Sequence, residues 1–333
     1  MPPAAASLPR IRLLATGGTI AGAQTRGRGY RAAALSIQAL VDAVPQLATL
    51  ARLEVEQVAK LGSQDMSEAV WRKLAARAQA ALDEPTIAGV VITHGTDTME
   101  ETGYFLNLIV RSTKPIVLVG AMRPATAMSA DGPMNLFNAI AVAATPAASG
   151  RGVLIVANDE IHCAREVAKT NTTQLGTFHS GQRGLAGLVN AGRVHFYASP
   201  VRRHTAASEF ILPARAALPR VDLIFAHAGM DRALIDAAVA AGARGLVIAG
   251  VGDGNLGAPA LAACAAAAKK GVAIVRSSRT GGGVVERNIE IDDDRLGFVV
   301  ADELNPQKAR ILLMLGLTRT SDPKALQEFF FDY

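Results

Sequence analysis

Cysteine is nearly absent: two in 333 residues, Cys163 and Cys264, in different halves of the chain. That excludes a disulfide framework and any cysteine-based metal spacing. One bridge is formally open, and two free, partly buried thiols are the expectation. The six histidines form no His-Glu-x-x-His or His-x-His pattern, so no metal and no cofactor are expected. Aromatic residues make up only 5% of the chain, with Trp71 the single tryptophan. Basic residues outnumber acidic ones by 34 to 29, but they are scattered, and pairs such as Arg202-Arg203 and Lys269-Lys270 stand alone. Without an arginine-rich tract or basic–aromatic interleaving, no nucleic-acid partner is expected. No run approaches the ~20 apolar residues of a membrane helix, so no membrane partner is expected either. Met1 to Pro9 lacks a basic segment followed by an apolar one. The expected compartment is cytoplasmic, or periplasmic if a signal has been removed.

What is present is a globular composition, half hydrophobic and 19% charged. A chain of 333 residues is too long for most single cores, so two domains are expected. Strand and helix patterns alternate, which argues for an α/β fold with a mostly parallel sheet flanked by helices. Strands are expected over 53–60, 89–92, 115–119, 152–158, 221–226, 245–249 and 272–276. Helices are expected over 36–44, 67–82, 131–144, 232–240 and 259–270, with one ending at Val110. Asn288, Glu290 and Asp292 alternate as in a strand with one solvated face. Pro200, Pro213 and Pro219 punctuate a polar stretch. This gives a larger N-terminal domain over 1–197, a linker over 198–219 and a smaller C-terminal α/β domain over 220–333.

The chain is organised around its first strand and the turn after it, Ile11-Arg12-Leu13-Leu14-Ala15-Thr16-Gly17-Gly18-Thr19-Ile20-Ala21-Gly22. Paired glycines let a backbone turn sharply and let a ligand approach the main chain. Thr16 is expected at the carboxyl end of that strand, where open α/β sheets place ligands. Two more polar clusters also follow an apolar strand and precede a helix: Thr93-His94-Gly95-Thr96-Asp97-Thr98 and Gly250 to Gly257. The last resembles a dinucleotide fingerprint, but one glycine pattern without a partner acid is weak support for a nicotinamide oxidoreductase.

A threonine hydroxyl is a poor nucleophile without a base or a proton path. A lysine beside it, held by an aspartate, would supply one, and Lys169 lies in an apolar-flanked segment where desolvation favours its neutral form. With strand-end amides as an oxyanion hole, these parts point to acyl transfer by hydrolysis of an amide or ester. Spacing alone does not pair them.

The first two clusters resemble the signature motifs of bacterial L-asparaginases, the second extending to Thr102. Further matches run along nearly the whole chain: Gly62 to Met66, Gly120 to Pro124, Ser129 to Pro133, Lys169 to Thr173, Gly254 to Leu256 and Leu304 to Arg310. The Lys169 and Asn305 runs resemble the high-affinity, type II branch. The resemblance implies a flavodoxin-like N-terminal sheet and an amidohydrolase acting on linear amides. It converts L-asparagine to L-aspartate and ammonia through a threonine acyl-enzyme, with a minor L-glutaminase activity.

By the same resemblance Thr16 is the acylated nucleophile, assisted by Tyr30 on a loop that closes over substrate. Thr96, Asp97 and Lys169 form a second triad. Ser63, Gln64 and Asp97 bind the α-carboxylate and α-ammonium groups, and the Ala121 carbonyl accepts from the substrate amide. Asn255 and Glu290 are donated by a neighbouring subunit, which implies a homotetramer built as a dimer of tight dimers. His94 is expected to be structural rather than a base. The chain departs from the family at Asp253, where asparagine is common. It also departs at Glu84 and Ser112, where some exported relatives carry a disulfide. Two alternatives remain at this point: a non-catalytic amino-acid sensor on the same scaffold, and the amidase subunit of a tRNA-dependent amidotransferase.

Overall fold

The structure is a computed structural model that describes residues 7–25, 29–190 and 192–333, with only the backbone of Tyr30. Arg26 to Arg28 of the expected closing loop, and the Tyr30 side chain, lie outside the described residues. The chain divides into two compact units, the first ending at Ser208 and the second beginning at Glu209. That boundary falls within the expected linker stretch, which is exposed over much of its length but is anchored to its units at single residues. The Ser208 hydroxyl donates to the Leu108 carbonyl, and Phe210 packs on Phe329 and Tyr333 with ring centroids 5.1 and 4.9 Å away.

The first unit holds an eight-stranded sheet. Edge to edge its strands are Arg193–Phe196, Gly187–Asn190, Glu160–Cys163, Val153–Ala157, Ile116–Val119, Ile87–Thr93, Arg10–Gly17 and Arg52–Leu61. The five from Val153–Ala157 to Arg52–Leu61 are parallel to one another. Numbered along the chain, these five follow the order 2-1-3-4-5, the flavodoxin-like arrangement. Except in the polar edge strand Arg52–Leu61, their apolar runs suit burial on both faces, and every residue of Ile116–Val119 is fully buried. In this order the connection reverses direction between the strands ending at Thr16-Gly17 and Thr93. Doubly wound sheets open a ligand crevice at that switch point.

Three short antiparallel strands extend the sheet beyond Val153–Ala157, and the sequence reading did not anticipate them. Each has four residues, too few for a periodic signal. A local signal was present, however. Asn158 and Asp159, at φ 52° and 62°, make a two-residue hairpin turn of the kind that asparagine and aspartate favour.

The second unit has four parallel strands, Val221–Phe225, Gly245–Gly250, Ala273–Ser278 and Phe298–Val300, in chain order. Asn305 and Asp322 cap the helices Pro306–Gly316 and Pro323–Asp332, accepting from Lys308 N at 3.0 Å and Ala325 N at 2.9 Å. Both helices carry proline at their first position, where no backbone donor is needed. One expectation fails here. Asn288 to Asp292 is not a strand. Asn288 sits at φ 60° and its side chain exchanges hydrogen bonds with Asp294, while Asp292 caps the helix Asp293–Leu296. Asparagine and aspartate side chains compete here for the backbone groups that a ladder would need.

The turn after the first strand requires its glycines. Gly18 has φ +83°, and a methyl group there would meet Gly95 Cα at 2.4 Å. Gly18→Ala combines a strained conformation, worth about 1–3 kcal/mol, with a backbone collision. It is expected to lower the urea midpoint of unfolding clearly, measured by circular dichroism. A midpoint equal to wild type would show that the two loops separate easily.

Candidate active site

Thr16 lies at the end of the first strand, where the pairing breaks. Ala15 pairs with Gln57 on one side, yet Gly17 pairs with Leu61, leaving an irregularity at Thr16. Such irregularities re-aim side chains at sheet ends. Ala15 also pairs with Thr93 on the other side, and the buried Thr16 hydroxyl donates to the Thr93 carbonyl at 2.9 Å. The first two polar clusters therefore meet at the switch point, while the third, Gly250 to Gly257, follows a strand of the other sheet.

The second cluster turns through a short helix, Thr96–Thr98, into the helix Met99–Ile109. Lys169 reaches this turn from the hairpin formed by Ala168–Lys169 and Phe178–His179. Its ammonium donates to Thr96 Oγ1 at 3.0 Å and to Asp97 Oδ1 at 2.6 Å. Thr96, Asp97 and Lys169 are thus brought together, with Thr96 buried and the Asp97 side chain 59% exposed.

Ser63 and Gln64 come from the turn after the strand Arg52–Leu61. The Ser63 hydroxyl accepts from the Asp97 backbone at 3.1 Å, and the Thr98 hydroxyl donates to the Ser63 carbonyl at 2.7 Å. Gly95 is required here too, since a methyl group on it would meet Ser63 Oγ at 2.6 Å. A cavity of about 310 Å³ opens over these loops. It is lined by Ser63, Gln64 and Asp97, by the glycines 18, 62 and 95, and by Thr19 and Ala32. A free amino acid fits such a volume, with polar groups placed at the wall.

Thr16, Thr96 and Ala121 are 1%, 5% and 0% exposed and lie beneath this wall rather than in it. Ala121 follows the strand Ile116–Val119, next to Ile87–Thr93. Sequence reasoning missed Thr98, although it stands inside the second motif. It also missed Thr19, Gly62 and Ala32, which contribute wall rather than chemistry.

His94 is fully buried, and its Nδ1 lies 2.7 Å from the Gly95 carbonyl. A carbonyl only accepts, so Nδ1 carries the proton. Burial disfavours the charged ring and lowers its pKa to about 4, against a raising effect of that hydrogen bond. Such a ring is a weak base. Both cysteines are free, and desolvation is the largest cause raising each thiol to about 12.

Asn255 and Glu290 belong to the second unit. The Asn255 amide donates to the Glu290 carboxylate at 2.8 Å. The loops that carry them are fixed by Arg276, which is 1% exposed. Its guanidinium holds both oxygens of Asp293, at 2.7 and 2.8 Å, and donates to the carbonyls of Asp253, Gly254 and Glu286. A buried bidentate pair needs such further partners, and losing one side typically costs about 3–5 kcal/mol. The Asp253 carboxylate accepts from the Glu286 backbone amide at 2.8 Å.

Two family profiles match the chain, "Asparaginase, N-terminal" over residues 10–202 and "Glutaminase/Asparaginase C-terminal domain" over 220–330. A Haemophilus influenzae protein named probable periplasmic L-asparaginase is 49% identical over 99% of this chain and 94% of its own. L-asparaginase 2 of Escherichia coli is 47% identical over 99% and 95%. The crystal structure of a probable cytoplasmic L-asparaginase from Campylobacter jejuni superposes with a TM-score of 0.92 at 43% identity, covering 98% and 100%. The relatives' names span two compartments. Among the described residues, no helix is long and apolar enough to cross a membrane.

The buried neutral His94 predicts an acid sensitivity. Its folded pKa, about 4, lies below the ordinary 6.5, so between these values the unfolded chain binds the extra proton. Stability therefore falls as pH drops from 6.5 to 4, by up to about 3 kcal/mol from this group. His94→Gln is expected to flatten the urea-midpoint-versus-pH curve in that window. An unchanged slope would assign the acid sensitivity elsewhere.

Proposed function

The chain belongs to the asparaginase family, and we propose that it hydrolyses the side-chain amide of L-asparagine to L-aspartate and ammonia, with slower hydrolysis of L-glutamine. The observation that carries the reading is the hydrogen-bonded set Thr96–Lys169–Asp97, one strand away from Thr16 at the switch point of the sheet. Two threonines, one already served by a lysine, are the parts that acyl transfer to a hydroxyl requires.

In this reading Thr16 Oγ1 leaves the Thr93 carbonyl and attacks the amide carbon. Its proton passes to a neighbouring base, and ammonia departs with a proton to leave an ester on Thr16. Water then releases aspartate. Tyr30 assists Thr16, and the Thr96–Lys169–Asp97 set moves the proton or orients the water. Ser63, Gln64 and Asp97 grip the α-carboxylate and α-ammonium groups, which their position on the cavity wall supports. The Ala121 carbonyl takes the amide N–H. Asn255 and Glu290 complete the site from a neighbouring subunit of a homotetramer, a dimer of tight dimers. Support for that role is their mutual hydrogen bond on loops fixed from within by Arg276.

Ammonia release is the test. Wild type is expected to release it from L-asparagine. Thr16→Ala is expected to fold, bind L-aspartate and lose at least about 1,000-fold in kcat. Near-normal turnover in Thr16→Ala would move the nucleophile to another residue. Aspartate binding without turnover by wild type would favour an amino-acid sensor. One extra methylene discriminates by about 10–200-fold, so L-glutamine is expected to react within that range of L-asparagine.

A further inference from the structure

One motif is left over from the site, Ser129 to Pro133. It contains Asp131, which stands at the N-cap of the helix Gly132–Ala144. An aspartate there normally accepts from its own helix's first amides. Asp131 makes no such bond. Its carboxylate reaches back instead, accepting from Met122 N at 2.9 Å with Oδ2 and from Arg123 N at 2.9 Å with Oδ1. Asn135, one turn along the helix, bonds the same Oδ2 at 3.1 Å and donates to the Gly120 carbonyl at 3.0 Å.

These bonds bracket Ala121. The Met122 N–H belongs to the same peptide unit as the Ala121 carbonyl, and in a trans peptide the two point in opposite directions. Holding the N–H therefore aims the carbonyl. A carboxylate on the N–H also polarises the unit and makes the carbonyl a stronger acceptor. Among the described residues, nothing donates to the Ala121 carbonyl, although Ala121 is completely buried. Buried carbonyls are rarely left without a donor. The neighbouring Gly120 packs beside Thr96, where a methyl group would sit 3.1 Å from Thr96 Cγ2. The residue before Ala121 thus packs against the threonine that Lys169 serves.

We propose that Asp131 is a positioning residue that aims and polarises the Ala121 carbonyl toward the leaving amide N–H of the substrate, and so favours amides over esters. The proposal rests on the amidohydrolase reading above. It assigns Asp131 an effect that depends on whether the substrate has an N–H to offer.

The experiment compares L-asparagine with the β-methyl ester of L-aspartate, which has no such N–H. Wild type, Asp131→Asn and Asp131→Ser are assayed on both, with circular dichroism confirming the fold. In either folded variant, kcat/KM for asparagine is expected to fall about 10-fold or more, the worth of one charge-assisted hydrogen bond. For the ester the fall is expected to stay within about threefold, since the bond at issue is never made. A parallel loss on both substrates, no loss on asparagine, or collapse of both variants would make Asp131 a structural strut and overturn the proposal. Wild type inactive on both substrates would instead sink the parent reading, and this inference with it.

Discussion

The contact between two glycine backbones, Gly18 and Gly95, is the constraint on which the site depends. It lets the loops after two adjacent parallel strands touch without side chains between them. Thr16 and Thr96 flank that contact, one on each loop. Ser63 stands against the far side of Gly95, so a third loop is drawn into the same cluster. The polar wall of the cavity follows from this packing. Sheets of this order open at the switch point; here glycine narrows the opening to the scale of one amino acid.

The second unit solves a similar problem by other means. Within the loop after the strand Gly245–Gly250, Gly250 and Gly254 also approach closely, but the tie to the loop before the helix Asp293–Leu296 runs through a side chain. A buried guanidinium collects their carbonyls and one carboxylate. Asp253 ties the Gly250 loop to Glu286 as well. Its charge is thereby committed to the backbone.

Much of this was legible in the sequence because it is local. Apolar runs followed by threonine and glycine clusters marked the strand ends, and Asn305 and Asp322 before proline marked helix starts. The meeting of Thr96, Asp97 and Lys169 was not legible from spacing. Lys169 arrives from a two-residue strand more than 70 positions away, and only the motif resemblance paired them. The antiparallel strands were too short to show a period. The segment from Asn288 to Asp292 misled because alternation also arises where polar side chains tie up their own backbone. Asp131 stands at a helix start, and nothing in its sequence position shows that its carboxylate serves a different loop.

Burial of the two thiols has a chemical consequence. It pushes both thiols up to about 12, so the reactive thiolate is scarce at neutral pH. Oxidants and disulfide exchange act through that form, so both cysteines are chemically quiet. No bridge holds the fold, and neither thiol is poised to form one. What holds the scaffold together is packing and hydrogen bonding, with no covalent cross-link for a reductant to cut.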